Sequence, residues 1–297
     1  MPRKLIFFYN PISGTKSKTA LLELLQSKTT AQGLDFELIE TNAAGDYHFL
    51  NDKIKEGVTD IIVCGGDGTV NQVATALLNS EVNIGIIPMG SGNGLALAAG
   101  IPTNAGKALD IIFKGKASPI DGFYINQYFS CMLCGLGFDA QVAHDFAKQS
   151  KRGLSTYIKE TFSNFFSAKA YPFILEIDNN RIKAEAFFIS IANSNQFGNN
   201  VTIAPQASIC DGLIDIVVVK KMSKARLIFS LFKQIKMGQI TTAGKKYHKE
   251  DILYYQSKNI SIQNPSEAPL HIDGDPAITA KHFDIKIMEK AFKLLQP

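Results

Sequence analysis

Three short loops carry the residue types that could handle phosphate. Cys64-Gly65-Gly66-Asp67-Gly68-Thr69 lies between an apolar run and a helical pattern. Glycine has no Cβ, so such a backbone turns sharply and can approach a phosphate closely. The helix that follows, from about Thr69, offers free N–H groups and a positive dipole end. Asp67 carries the wrong charge to bind phosphate itself, but it can hold Mg²⁺, which bridges to phosphate oxygens. A plain tight turn with a capping Asp is the competing reading. A second loop, Pro88-Met89-Gly90-Ser91-Gly92-Asn93-Gly94, ends another apolar run, and Asn10-Pro11-Ile12-Ser13-Gly14 ends the first. If the three runs are parallel strands, the loops share the edge where open α/β sheets bind ligands. No G-x4-G-K-[ST] pattern is present, so any nucleotide must be held by these loops instead. A different chemistry stands near the end of the chain, in His271-Ile272-Asp273-Gly274-Asp275. Two carboxylates two residues apart project to the same side of an extended backbone. Their repulsion would raise one pKa toward that of a general base. An ordinary Asp-Gly-Asp turn before Pro276 is the other reading, and His271 is read as a neighbour.

The elements needed to position these loops are legible. Apolar runs at Lys4–Tyr9, Phe36–Glu40, Asp60–Cys64 and Asn83–Pro88 read as strands, and Thr19–Leu25 and Val70–Leu78 read as helices. A β-α-β-α-β order predicts a parallel sheet covered by helices. From about Ile120 the texture changes. Strand-like runs at Tyr128–Leu133, Phe173–Asp178, Ala184–Ala192, Gly212–Val219, Ile260–Gln263 and Phe283–Met288 are separated by turns such as Asp178-Asn179-Asn180 and Asn199-Asn200. This predicts a mostly antiparallel second domain, a β-sandwich, with helices at about 154–166 and 224–236. The boundary is placed at 122, giving domains 1–122 and 123–297.

Composition narrows the class. The chain has 297 residues, 45% hydrophobic and 20% charged, with 20 Phe, nine Tyr and no Trp. That is ordinary globular usage and excludes a disordered tail protein. No run approaches the ~18 apolar residues of a spanning helix, and Leu5–Tyr9 is too short for a secretory signal, so a cytoplasmic protein is expected. Four Cys do not make a disulfide scaffold. Cys131-x-x-Cys134 lacks a second Cys or His pair and reads as structural. A net charge of +4 does not imply nucleic acid, but suits anionic phosphates or an anionic membrane surface. Gly135-Leu136-Gly137-Phe138-Asp139-Ala140 fits the relaxed dinucleotide pattern G-x-G-x-x-A, yet falls in the antiparallel half. A turn near the domain junction is the better reading.

The ordered set of motifs resembles the lipid-kinase family that contains diacylglycerol kinase catalytic domains, bacterial lipid kinases and sphingosine kinases. It comprises Asn10-Pro-x-Ser-Gly14, Gly65-Gly-Asp-Gly-Thr69, Gly90-Ser-Gly-Asn93, Asp121, Gly135-Leu-Gly-Phe-Asp139, Arg152-Gly153 with Tyr157, Pro205, Asp211-Gly-Leu-Ile-Asp215 and Asp273-Gly274-Asp275. The resemblance implies a kinase of phospholipid biosynthesis: an α/β nucleotide domain, a β-rich lipid domain, and an active site in the cleft between them. It implies that Asn10, Pro11, Ile12, Ser13 and Gly14, with Gly65, Gly66, Asp67, Gly68, Thr69, Val70, Asn71 and Gln72, hold the ATP phosphates. Thr41 and the loop Gly90, Ser91, Gly92 and Asn93 stand at matching nucleotide-contact positions. Asp67 would organise catalytic Mg²⁺, with Asp121 assisting through water. A second, structural Mg²⁺ would sit at Ser208, Asp211 and Leu213, the first and last through backbone oxygens. Two positions depart from the family pattern. Asp275 replaces the usual Glu, and Gly90–Ala96 resembles the sphingosine-kinase form, which leaves the acceptor open among diacylglycerol, a sphingoid base and a related lipid. Phosphoryl transfer needs positioning, charge neutralisation and a base near the hydroxyl. Asp273 and Asp275 are equal candidates for that base.

Reaching a lipid without a spanning helix requires contact with a membrane surface. Residues 220–249 hold nine Lys or Arg and no acidic residue, with Leu227, Ile228, Leu231, Phe232 and Ile235 at helical spacing. Peripheral docking at the inner membrane surface is one reading, each near-surface cation contributing ~1 kcal/mol. A helix packed on its own domain with solvated lysines is the other. The oligomeric state is open, a homodimer among the forms. Rival functions are an NAD kinase-like enzyme, which shares Gly-Gly-Asp-Gly, and a weakly catalytic lipid- or nucleotide-binding regulator, for which the altered Asp-Gly-Asp motif argues.

Overall fold

The computed structural model describes residues 2–11, 18–42, 45–114, 116–149, 168–198, 201–223 and 251–297. The helices expected at 154–166 and 224–236, the Asn199-Asn200 turn, Ile12, Ser13, Gly14, Arg152, Gly153, Tyr157 and the basic residues from Lys224 to Lys249 lie outside the described residues. The chain divides into two compact units, Met1–Asp121 with Lys290–Pro297, and Gly122–Glu289.

The first unit contains β1 (Lys4–Tyr9), α1 (Lys18–Ala31), β2 (Asp35–Glu40), α2 (Leu50–Lys55), β3 (Asp60–Gly65), α3 (Asp67–Ala76), β4 (Asn83–Pro88), α4 (Gly94–Ala98) and α5 (Ala105–Lys114). Strands run in the order β2-β1-β3-β4, all parallel. Leu5–Phe8 and Ile61–Cys64 are fully buried, as expected of central parallel strands whose two faces are both covered. In α1, Leu21, Leu25 and Thr29 recur every four residues and form its buried stripe. The strand order reverses between β1 and β3, so their carboxyl ends flank a topological switch point, the usual ligand crevice of such sheets.

The second unit contains β6 (Tyr128–Ser130), β7 (Leu133–Gly137), α6 (Phe138–Ala147), β8 (Tyr171–Ile177), β9 (Asn180–Ala192), β10 (Gln196–Gly198), β11 (Val201–Thr202), β12 (Ile214–Lys220), β13 (Ile252–Ser257), β14 (Asn259–Gln263), β15 (Leu270–Ile272) and β16 (Asp275–Ala277). The chain enters this unit along β5 (Lys116–Ile125) and leaves it along β17 (His282–Gln296). Pairing is antiparallel and centred on β9. Its first half pairs with β8, and its second half is flanked by β7 and β12. Burial follows that division: residues 180–186 are mixed, whereas 187–192 are buried without interruption. Phe173, Leu175, Ile189, Ile191, Ile216, Val218, Phe283 and Ile285 are members of the core. The expected parallel α/β unit and mostly antiparallel β-rich unit are therefore both present.

Three sequence expectations differ from the structure. The last eight residues, assigned to the second domain with the rest of 123–297, belong to the first unit, because Lys293 and Leu294 add a parallel partner to Asn83 and Ile84 of β4. The run Tyr128–Leu133 is not one strand; it breaks at Cys131-Met132, whose amides turn toward the carboxylate of Asp273. Gly135–Ala140 is not a turn but the end of β7 and the start of α6. Its strand pairs antiparallel with β9 and β15, so it is no dinucleotide-binding βαβ unit.

Candidate functional site

In the first unit, the loops that follow β1, β3 and β4 meet. Gly66 caps α3 in an extended conformation, so the helix begins at Asp67. Across from it lies Gly90: a Cβ on Gly90 would stand 2.6 Å from Gly66 Cα, and one on Gly66 would stand 3.0 Å from Gly90 Cα. Neither backbone can yield, so this approach requires glycine on both sides. Met89 N–H donates to the Gly65 carbonyl at 2.8 Å. Leu95 N–H donates to Asp67 Oδ1 at 3.4 Å, linking the Asp67 carboxylate to the start of α4. Asn10 binds the same assembly twice, through its N–H to the Cys64 carbonyl (3.2 Å) and its Nδ2 to Thr69 Oγ1 (3.3 Å). After β2, Thr41 N–H donates to the Tyr9 carbonyl at 2.9 Å.

The expected binding residues divide according to what their side chains already do. Asn93, in the left-handed region at φ 54°, is occupied locally. Its Oδ1 accepts Gly90 N–H and its Nδ2 donates to the Gly90 carbonyl, both at 2.8 Å. It shapes the loop, with both ends of its side-chain amide engaged by the Gly90 backbone. Val70 is buried, and its N–H donates to the Gly66 carbonyl at 3.0 Å, closing the first turn of α3. Asn71 Oδ1 accepts from Thr75 Oγ1 at 2.9 Å, and Gln72 Oε1 from Tyr47 Oη at 3.4 Å. Pro11 and Ser91 are exposed, and Gly66, Asp67, Gly68, Gly90 and Gly92 half-buried. An N-terminus of a ten-residue helix, bare backbone and one carboxylate thus meet at one rim. These are the donors a polyphosphate and a hard divalent cation require. Asp67, half-buried and oxygen-bearing, fits Mg²⁺. Asp121 is buried, and its Oδ1 accepts Lys290 N–H at 2.8 Å. Sequence reasoning passed over Lys18. It opens α1 near the buried Cys64, and burial lowers its ammonium pKa from the usual value. Among many lysines, only the fold singles it out. Burial pushes the Cys64 thiol up to about 12, which makes it inert at neutral pH.

In the second unit, Asp273 and Asp275 have different surroundings. Asp273 (φ 48°) and Gly274 (φ 88°) form a two-residue turn between β15 and β16, with Ile272 opposite Asp275. Positive φ at both positions is the type I′ hairpin geometry for which Asp-Gly is a strong signal. The backbone is not extended here, so the expectation that both carboxylates share a side fails. Asp273 is buried: its Oδ1 accepts Ser130 Oγ (2.7 Å), Met132 N–H (3.1 Å) and Leu133 N–H (3.0 Å), and its Oδ2 accepts Cys131 N–H (3.2 Å). Asp275 is exposed. Opposite Gly135 of β7 stands His271 of β15, whose Nε2 lies 3.4 Å from Asp139 Oδ2 and whose Nδ1 accepts Gly274 N–H at 3.3 Å. Cys131 and Cys134 are buried free thiols, in keeping with their structural reading.

The turn expected to hold a second cation is also formed. Leu213 N–H donates to Asp211 Oδ1 at 3.1 Å, and Gly212 has φ 74°. Asp215, four residues on, is fully buried. Its Oδ1 accepts from Tyr254 Oη and from Gln256 Nε2 (3.2 Å), while its Oδ2 has no hydrogen-bond partner. Its carboxyl is raised to about 6, chiefly by burial, with the hydrogen bonds from Tyr254 and Gln256 opposing the rise and the neighbouring Asp211 adding to it. An unpartnered buried carboxylate oxygen beside a second acid suits a cation at the Ser208–Leu213 turn. Among the described residues no three His, Cys, Asp or Glu side chains cluster, so such a site needs backbone oxygens as well. Among the described residues no helix is long and apolar enough to cross a membrane.

Comparison with known proteins divides the chain near the same point, although the second family model runs on through residues that the structure places in the first unit. Residues 4–125 match the model of the diacylglycerol kinase catalytic domain, and residues 133–295 match that of the YegS C-terminal NAD kinase beta sandwich-like domain. A protein named diacylglycerol kinase from Bacillus subtilis is 27% identical over 274 residues, covering 90% of this chain and 88% of the relative. A protein named probable lipid kinase YegS-like from an Enterobacter species is 28% identical over 292 residues, covering 94% and 93%. A crystal structure titled as a diacylglycerol kinase from Bacillus anthracis superposes with a TM-score of 0.76 at 20% identity, covering 99% of this chain and 97% of the other; at that identity it speaks for the fold.

Proposed function

The chain belongs to the family of the YegS C-terminal NAD kinase beta sandwich-like domain, and its first part matches the diacylglycerol kinase catalytic domain; we propose that it is an ATP- and Mg²⁺-dependent lipid kinase that transfers the γ-phosphoryl group to a lipid hydroxyl. The observation that carries this reading is the mutual lacing of the loops after β1, β3 and β4 around Asp67. Backbone N–H groups at the start of α3 and at Ser91 and Gly92 bind phosphate oxygens, and Lys18 adds positive charge. Mg²⁺ held by Asp67 neutralises phosphate charge when bound. Asn10, Thr69 and Asn93 keep the loops in register. Asp121 supports this rim, and Ser208, Asp211 and Leu213 hold a structural cation.

For the general base we choose Asp275 over Asp273. All the hydrogen bonds found at Asp273 come from its own fold, and they fill a carboxylate that is buried. Asp275 is exposed on the strand that follows, where a lipid hydroxyl can reach it. It takes the hydroxyl proton as the oxygen attacks the γ-phosphorus. Diacylglycerol is the first acceptor to try, on the strength of the relatives' names; a sphingoid base is the second. Contact with the membrane is peripheral and uses the basic 220–249 segment.

The test is transfer of label from γ-³²P-ATP, with Mg²⁺, to a panel of lipid alcohols in mixed micelles and, in parallel, to NAD. Label in an extracted lipid is expected. Label in NAD alone would replace this reading with an NAD kinase, and no turnover at all would leave a binding protein. Sedimentation with anionic vesicles at low and high salt tests the surface contact, which salt-insensitive or absent binding would remove.

A further inference from the structure

We propose that His271 is a positioning residue, a bridge between Asp139 and the Gly274 amide that fixes the turn bearing Asp275. The inference rests on the reading of Asp275 as the base. Its geometry is independent of that reading.

A neutral imidazole has one N–H and one lone pair. Asp139 is a carboxylate, and its Oδ2 stands 3.4 Å from His271 Nε2. Gly274 N–H can only donate, and it points at His271 Nδ1 from 3.3 Å. One tautomer satisfies both: Nε2 carries the proton and gives it to Asp139, and Nδ1 accepts from Gly274. Asp139 is itself held, because its Oδ1 accepts Ala140 N–H at 2.8 Å in the first turn of α6. The bridge therefore ties a helix start to a hairpin turn across a buried space, with His271 only 1% exposed.

That space exists because Gly135 is bare. A Cβ there would stand 2.0 Å from Asp139 Oδ2 and 2.5 Å from His271 Nε2. Gly135 thus serves the bridge and not a nucleotide. The turn is held at two consecutive residues. Asp273 is fastened by its carboxylate and by its N–H, which donates to the Leu133 carbonyl at 2.8 Å. Gly274 is fastened by His271. Asp275 comes next in the chain, so these two anchors set the direction in which its carboxylate leaves the turn.

Three substitutions separate the halves of the bridge. His271→Asn keeps an acceptor near the Nδ1 position, His271→Gln keeps a donor toward Asp139, and His271→Leu keeps neither. With Asn, kcat is expected to stay within about threefold of the parent. With Gln and Leu it should fall about 10- to 100-fold, while KM for ATP stays within about twofold, because the nucleotide rim is untouched. Hydrogen exchange at the Gly274 amide should be slow in the parent and in His271→Asn and fast in His271→Gln. Parental kcat and slow Gly274 exchange in His271→Gln would overturn the proposal, as would an Asn variant as impaired as Leu. If His271→Leu does not fold, the Gln and Asn variants and the parent's exchange rate still decide. A parent that phosphorylates no lipid would defeat the kinase reading alone, since Gly274 exchange tests the bridge without turnover.

Discussion

The glycine rim of the first unit and the Asp-Gly-Asp turn of the second reach rigidity by opposite means. At the rim, side chains are missing: Gly66 and Gly90 touch backbone to backbone, and Gly65 packs under Thr69. At the turn, a side chain is saturated: Asp273 collects donors from four consecutive residues, Ser130 to Leu133. Each region then leaves one less enclosed carboxylate, Asp67 at the rim and Asp275 at the turn. On the proposed reading, the contrast separates an acid that builds the turn from acids that would take part in the chemistry.

Substitutions sharpen that separation. Asp67→Asn and Asp275→Asn should each lower kcat by about 10³-fold, with melting temperatures within about 2 °C of the parent, since neither side chain is enclosed. Full activity in either purified variant removes that residue from the mechanism. Asp273→Asn should do the reverse first. It sets an NH₂ group against N–H donors in a buried place and should cost about 2 kcal/mol in urea unfolding, with activity falling as a consequence. A stable Asp273→Asn protein would erase the distinction between the two acids. Gly90→Ala forces a methyl against Gly66 and should raise KM for ATP about tenfold, at about 1–3 kcal/mol of strain, with KM for lipid unchanged. An unchanged KM for ATP would show that the two loops need not touch. The smallest effect is expected from Asp211→Ala, which should abolish a Mg²⁺-dependent rise in melting temperature of about 2–4 °C. The same rise in the variant would contradict a cation at the Ser208–Leu213 turn.

The first unit was nearly transparent to the sequence. Its central strands β1, β3 and β4 are short, apolar over most of their length and followed by loops that contain glycine, so pattern and breakers agree, and parallel strands force the loops to one edge. The second unit was readable as a class but not in detail. Tyr128–Leu133 looks like one strand because nothing local signals that a carboxylate about 140 residues later will draw its amides away. Asp273 and Asp275 could not be told apart on spacing alone. The Asp273-Gly274 dipeptide after Ile272 carries a type I′ turn signal that the sequence reading left unused, and it denies the two acids a common extended backbone. His271 looked like a bystander because its partners, Asp139 and Gly274, meet only in three dimensions. The final strand returned to the first unit through two residue pairs that no local pattern marks.

The claim on which the account stands is that bare backbone at the switch point of the parallel sheet receives the nucleotide phosphates. Amide chemical shifts in ¹⁵N-labelled protein, recorded while ADP and Mg²⁺ are added, test it without any lipid. The account predicts that Asn10, Gly66, Gly68, Gly90 and Gly92 shift together along one saturating curve, and that Gly90→Ala weakens that curve. Saturable binding that leaves these five amides unmoved would contradict it.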